Sequence, residues 1–339
     1  MTFPNDSSSG REQSLLNRLL PRLSQLNLLP GNEDAVAWLT PSDGEVTVCN
    51  IDMIAWSTDA LPATMSLEEF GRKLVAVTVS DLASKGATPK FFVASAALPP
   101  SMTEEQTQKL LEGLVKGCEE CHLAYLGGDL GSAEELVMTG VAIGTTTAKG
   151  LVKRSGARSG DLVCVTGPFG LNGLGYAALL DQSITLPEES KVSQLVHKQL
   201  LYPQPRLEWG PLVRQYARAS LDSSDGLAVS LHHLAKASNL AVTLENLPTH
   251  PAVEEFCQTN NLDPLPYVCH AGEEFELVFT LPPEQLQPLQ EEARKHKLTP
   301  PVVIGRMHDF REVRVNNQTT RPATPLPAKG WDALAGFDR

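Results

Sequence analysis

Cysteine is scarce, with six in 339 residues, too few for a disulfide framework, so reduced thiols are expected. Long apolar runs are absent, and nothing approaches the roughly 20 residues that span a bilayer. The stretch Met1 to Glu12 is polar and serine-rich, without the apolar segment of a signal peptide. These absences predict a cytoplasmic protein with no membrane partner. Basic charge is also short: 28 Lys and Arg stand against 40 Asp and Glu, for a net charge of −12. A nucleic-acid partner would ask for a basic face, so none is expected. Several catalytic phrases are missing too. Without GxSxG or HExxH there is no support for a serine hydrolase or a zincin. Without GxxxxGK[ST] or GxGxxG there is none for a P-loop or a dinucleotide fold.

What is present is an ordinary globular composition, 42% hydrophobic and 20% charged. The length suits two domains, expected over 1–150 and 151–339. In the first, Ala35–Leu39, Val46–Asn50, Lys90–Ala97 and Glu135–Thr146 read as strands. Leu15–Leu26, Leu67–Leu74 and Thr103–Cys121 read as helices, and the apolar run Leu74–Val79 is buried in some form. In the second, Asp161–Thr166, Ala241–Leu244, Phe275–Thr280 and Pro301–Ile304 read as strands. Helices are expected over Leu174–Leu180, from Asp225-Gly226 to about Ala237, and in the Glu/Gln-rich stretch before Pro301. The tail Asn316–Lys329 is proline-rich and extended. Helices and strands mix throughout, which gives an α/β or α+β class.

The acids are gathered into phrases. Asp34 ends GNED, Asp52 follows VTVCN, Asp81 ends VSD, Asp129 ends LGGD, and Asp222 and Asp225 frame DSSDG. Hard divalent cations want oxygen ligands, and Mg²⁺ commonly takes carboxylates together with substrate phosphates. Singly, such aspartates are turn residues or helix caps; as a set they point to a metal site. The phrase Gly167–Gly175 (GPFGLNGLG) follows a strand and opens a helix, and is either a phosphate cradle or a tight turn. Cys118-Glu-Glu-Cys121-His122 spells a haem-attachment string, but it completes an amphipathic helix in which cysteines act as small apolar residues. His232 and His233 lack a third ligand at metal spacing and read as structural.

Five further phrases fall in one order: VTVSDLASKGATP (Val77–Pro89), LGGDLG (Leu126–Gly131), KRSGARSGD (Lys153–Asp161), DSSDGL (Asp222–Leu227) and AGEEFELVF (Ala271–Phe279), followed by GWDAL (Gly330–Leu334). Together they resemble the thiamine-monophosphate kinase family, of the superfamily that includes aminoimidazole ribonucleotide synthetase. The resemblance runs from about Pro30 to the C-terminus. It implies a β-rich N-terminal dimerisation domain and a C-terminal α/β domain closing over a nucleotide. It also implies a homodimer that uses ATP and Mg²⁺ to turn thiamine monophosphate into thiamine diphosphate. Carried over, Asp34, Asp52, Asp81, Asp129, Asp222 and Asp225 are metal ligands, with Asp34, Asp81 and Asp222 the catalytic carboxylates. Gly128, Asp129, Arg154 and Ser224 contact ATP. Glu273 and Trp331 hold the thiamine end, and Asp59 falls at the position of a substrate-side histidine.

Two departures stand out from that pattern. The family's GDD is Asn32-Glu33-Asp34 here, and its Ser-Thr-Asp is Asn50-Ile51-Asp52, which predicts the loss of two hydroxyls beside the metals. A non-catalytic or substrate-shifted nucleotide-binding relative is therefore the alternative reading.

Overall fold

The computed structural model describes residues 28–29, 33, 35–39, 45–61, 64–180, 182–309, 312–315 and 323–330. The expected helix at Leu15–Leu26, the residues 316–322 of the tail, Asp34 and Trp331 lie outside the described residues.

Val46, Val48, Asn50 and Ile54 are buried along one strand while Ile51 and Met53 are exposed. That is the period-two alternation of a sheet with one covered face. The strand is β2 (Glu45–Ala55), flanked in sequence by β1 (Val36–Leu39) and followed by β3 (Thr88–Leu98), β4 (Ala124–Ser132) and β5 (Val137–Thr147). They form a five-stranded sheet of order β1-β2-β5-β3-β4, antiparallel except for the β3–β4 pair. A short helix, α1 (Trp56–Asp59), leaves the end of β2, and α2 (Leu67–Ser84) and α3 (Glu104–Glu120) cover the inner face.

The apolar run Leu74–Val79 is the middle of α2. A capping box starts this helix: Glu69 N–H donates to Ser66 Oγ (3.2 Å) and Ser66 N–H to Glu69 Oε2 (2.7 Å). From Phe70 to Ser84 nearly every residue is buried, which is why its pattern shows no polar stripe. Phe70, Leu74 and Leu82 are fully buried, each worth about 1.5–3 kcal/mol. A Cβ on Gly71 would stand 2.1 Å from the Leu110 carbonyl and one on Gly113 1.9 Å from the Glu68 carbonyl, so these glycines let α2 and α3 touch backbone to backbone.

The second sheet holds β6 (Leu162–Val165), β7 (Ala219–Asp222), β8 (Ala241–Leu244), β9 (Leu277–Leu281), β10 (Val302–His308), β11 (Arg314–Val315) and β12 (Thr324–Pro325). Its order is β12-β11-β8-β10-β6-β9-β7, with only β11–β8 parallel. Seven helices accompany it among the described residues: α4 (Leu171–Leu179), α5 (Lys191–Leu201), α6 (Gly210–Tyr216), α7 (Leu227–Ser238), α8 (Pro251–Thr259), α9 (Leu265–Cys269) and α10 (Leu286–Lys295). Helix α2 is shared between the halves. Its C-terminal Ala83 packs into the core formed by Trp209, Leu277 and Phe279. Asp81 is thereby carried to the end of β7, where Asp222 stands.

The mainly antiparallel pairing makes the class α+β with two sheets, within the expected range. The haem reading of Cys118-to-His122 is excluded by packing: Cys118 is buried in the first core, and burial pushes its thiol up to about 12 and that of Cys121 up to about 11. His232 Nε2 lies 2.7 Å from the Leu326 carbonyl, so it ties the tail to α7. Burial holds His233 down at about 3, as a neutral imidazole. Among the described residues no helix is long and apolar enough to cross a membrane.

Candidate active site

Three chain segments bring carboxylates to one place. Strand β2 supplies Asp52, α2 supplies Asp81, and the end of β7 supplies Asp222, followed by Ser224 and Asp225. The turn after β7 needs glycine: Gly226 has φ of 111°, and a Cβ there would stand 3.0 Å from the Ala271 carbonyl and 3.2 Å from that of Cys269. The same turn is stitched to the 271–276 loop, because Glu273 N–H donates to Ser224 O (2.6 Å), Phe275 N–H to Ser223 O (3.0 Å) and Ser223 N–H to Glu276 O (2.9 Å).

Asn50 stands between two of the acids. Its amide nitrogen donates to Asp52 Oδ2 (2.7 Å), Asp81 Oδ2 (2.9 Å) and the Thr78 carbonyl (3.1 Å). Burial, and then the charge of Asp222, push the Asp52 carboxyl up to about 7. Burial, Asp222 and Asp52 together push Asp81 well above the carboxylate range, with Lys85 opposing. Asp225 adds to the load on Asp52. Among the described residues, Asp81 Oδ1 and Asp222 Oδ2 are buried with no hydrogen-bond partner, a costly arrangement for charged oxygens.

Such a group has two remedies: it holds protons, or it receives a cation. Orphaned carboxylate oxygens in a hard-oxygen donor set fit Mg²⁺. Among the described residues the acids are neighbours, but they do not converge on one point closely enough to form a finished metal cage. Arg154 is buried beside them, near enough to feel Glu33, Asp222 and Asp225, and burial lowers its pKa. Its backbone N–H donates to Glu33 Oε1 (2.6 Å), and Glu33 also pairs with the fully buried Lys85. Glu33 is therefore neutralised inside the chain.

Ile51 corrects an expectation. Strand alternation turns its side chain to the opposite face from Asn50 and Asp52, where it is 63% exposed. Of Asn50 and Ile51, which replace the family's two hydroxyl residues, Asn50 alone has a side chain hydrogen-bonded to the described acids.

A second group of side chains lies at Glu273. This residue has φ of 62°, a conformation that the surrounding bonds must hold. Asn172 Nδ2 donates to its carbonyl (2.7 Å), and its carboxylate accepts from Tyr176 and from Lys73. Asp59 joins through the backbone: Lys73 Nζ donates to the Asp59 carbonyl (2.8 Å), while the Asp59 carboxylate caps α1 by accepting from Ala55 N–H (2.8 Å). Asp59 and Glu273 are thus brought together, linked by a residue that sequence reading missed. Lys73 lies within an apolar helix and Tyr176 beyond a glycine phrase, so neither carried a local signal. The double Glu of AGEEFEL did.

The glycine phrase is a turn and not a cradle. Glu274 Oε1 accepts from the N–H groups of Gly170 (2.7 Å) and Asn172 (3.4 Å), so the chain's own carboxylate fills the start of α4. Burial pushes Glu274 up to about 8 in spite of those amides. Glu276 pairs with Arg206 and accepts from Thr166.

Gly128 and Asp129 are not brought to the acids. They lie on β4, the exposed edge strand, where Asp129 pairs with Ser95 and through Thr139 with Met53, on the outer-facing row. Three strand spacings of about 4.8 Å separate β4 from β2. At the far end of the chain, a Cβ on Gly330 would meet the Asp225 carbonyl at 2.1 Å, so the segment preceding Trp331 lies against the DSSDG turn.

Comparison with known proteins agrees with this architecture. The family "AIR synthase related protein" matches through its N-terminal domain over residues 32–146 and its C-terminal domain over 158–316. The thiamine-monophosphate kinase of Nitrosopumilus maritimus is 33% identical over 284 residues, 84% of this chain and 88% of that protein. The crystal structure of tt0281 from Thermus thermophilus superposes with a TM-score of 0.82 at 30% identity, covering 93% of this chain and 98% of the other. A structure described as AaThiL complexed with AMPPCP and TMP shares the fold at a TM-score of 0.79 and 24% identity, covering 98% and 99%.

Proposed function

The chain belongs to the thiamine-monophosphate kinase family, and from that premise we propose that it phosphorylates thiamine monophosphate with ATP and Mg²⁺. An oxygen of the substrate phosphate attacks the γ-phosphorus of ATP, the bond to the β-phosphate oxygen breaks, and thiamine diphosphate and ADP leave. The observation that carries this reading is the buried acid group in which two oxygens, Asp81 Oδ1 and Asp222 Oδ2, have no hydrogen-bond partner among the described residues, beside a buried arginine.

Asp52, Asp81, Asp222 and Asp225 would hold Mg²⁺, which when bound supplies the positive charge that lets two polyanions approach. The places of Asp34 and Asp129 among the ligands, and of Gly128 at the nucleotide, rest on the family resemblance. Arg154 is set to balance charge on the transferring group, and Ser224 offers its hydroxyl at the exposed tip of the turn. Glu273, with Asp59 behind it and Trp331 after Gly330, receives the thiamine end. The accepting oxygen is already anionic, so the site needs no strong general base. Residues 1–150 form the dimerising half and 151–339 the half that closes over nucleotide and substrate.

A homodimer is supported by the outer face of the first sheet, where Trp38, Ile51, Met53 and Phe91 stand 40–66% exposed. A contiguous apolar face of this kind marks an interface, and two copies related by a two-fold axis would cover it. Cytoplasmic residence is part of the same reading. The test is chromatographic: thiamine diphosphate and ADP should form in equal amounts from thiamine monophosphate and Mg-ATP. ADP without thiamine diphosphate would assign a different acceptor.

A further inference from the structure

We propose that Lys73 is a resident counter-cation at the substrate site, a specificity-determining residue whose hold on Glu273 the cationic ring of the substrate displaces. The inference rests on the reading of Glu273 as the thiamine contact. Lys73 reaches the site from the protein side. Its side chain is 3% exposed, against 26% for Glu273, and its ammonium lies 2.6 Å from Glu273 Oε1 and 2.8 Å from Oε2. The ammonium is anchored independently by the Asp59 carbonyl at 2.8 Å.

Tyr176 donates to the same carboxylate, and its hydroxyl is held well above the usual phenol range by burial and then by Glu273. It therefore remains a donor. A carboxylate has about four lone-pair positions, and Lys73 and Tyr176 occupy most of them. Solvent reaches Glu273 on its remaining side, which is where a ligand would arrive. A cation arriving there contests the ammonium for one charge; a neutral ring has nothing to offer in exchange. The resident lysine thus lowers affinity for every cation while penalising a neutral ring no further, and it keeps the carboxylate aimed when substrate is absent. The pair also joins α2 to the 271–276 loop, and Glu273 N–H joins that loop to Ser224 beside the acids.

The test is titration calorimetry on the full chain without nucleotide. The probes are thiamine monophosphate and its thiophene analogue, in which an uncharged ring replaces the thiazolium. Lys73→Met should bind thiamine monophosphate about fivefold more tightly than wild type, the size of a partly exposed charge pair, with affinity for the neutral analogue unchanged. Unchanged or weaker binding of the cation, or an equal shift for both probes, overturns the proposal. Should Lys73→Met fail to fold, Lys73→Gln keeps a donor to the Asp59 carbonyl and is read by the same criterion. Glu273→Gln separates the two layers of the argument. If it weakens the cation but Lys73→Met gives no gain, only the displacement is wrong. If it leaves the cation unaffected, the Glu273 contact and the displacement fall together.

Discussion

Two clusters of acids meet where the 223–224 turn is hydrogen-bonded to the 271–276 loop, and they are treated in opposite ways. In the 271–276 loop every carboxylate has its own internal partner. Glu273 has Lys73 and Tyr176, Glu274 has two backbone amides, and Glu276 has Arg206 and Thr166. At the junction of β2, α2 and β7, Asp52 and Asp81 share one asparagine amide, and two buried oxygens, Asp81 Oδ1 and Asp222 Oδ2, have no hydrogen-bond partner among the described residues. Acids of the first kind are completed by the fold. Acids of the second kind wait for charge from outside, and, the part-exposed Glu273 at the proposed substrate contact apart, that difference separates scaffold from site.

The comparison breaks most visibly in activity. Asp81→Asn should lower thiamine diphosphate formation by roughly a thousandfold, about 4 kcal/mol of transition-state stabilisation. It should at the same time leave the metal-free melting temperature unchanged or raised, because it removes one of several repelling acids. A melting temperature lowered as far as by a core cavity would place Asp81 with the scaffold.

The reverse is expected of Glu276→Gln. Removing a carboxylate that pairs with the partly exposed Arg206 and the buried Thr166 should destabilise by about 2 kcal/mol, read in urea denaturation. The effect on turnover should be no larger than the loss of folded protein.

Glu274 tests the same contrast through pH. Its carboxyl rises on folding from 4.5 to about 8. A raised pKa means that its contribution to stability is full below pH 4.5 and is lost as pH climbs through about 8. Denaturation of wild type across that window should show a decline on the order of 4 kcal/mol, and Glu274→Gln should flatten it. An equal slope in both proteins would assign the dependence to other groups.

The smallest expected effect concerns the two departures at 50 and 51. Asn50→Ser removes the amide that bridges Asp52 and Asp81 and should shift the Mg²⁺ concentration for half-maximal activity by about one decade. Ile51→Thr should shift it by less than about twofold, because the side chain faces away from the acids. A larger response to Ile51→Thr would mean that the strand is turned over.

Much of this was legible in the sequence, for identifiable reasons. Ala241–Leu244 and Thr103–Cys121 carried clean periods and appear as β8 and α3. The burial of α2 blurred its period, so only its first turns read as helix. Strand β4 was missed because LGGDLG has turn chemistry, though it pairs along β3 as an edge. The acids were found by their phrases, and Asp52, Asp81, Asp222 and Asp225 do gather. What a string of residues cannot carry is facing and long-range pairing. Ile51 was misplaced because its face depends on strand register. Lys73 and Glu273 lie 200 positions apart, and only the packing of α2 between the halves brings them together.

The most direct test of the central claim is a Mg²⁺ titration of thiamine diphosphate formation in wild type and Asp81→Asn. Wild type should be silent in chelator and rise to saturation with Mg²⁺, while Asp81→Asn stays near baseline throughout. Product from wild type in chelator, or matching titration curves for the two proteins, would contradict the account.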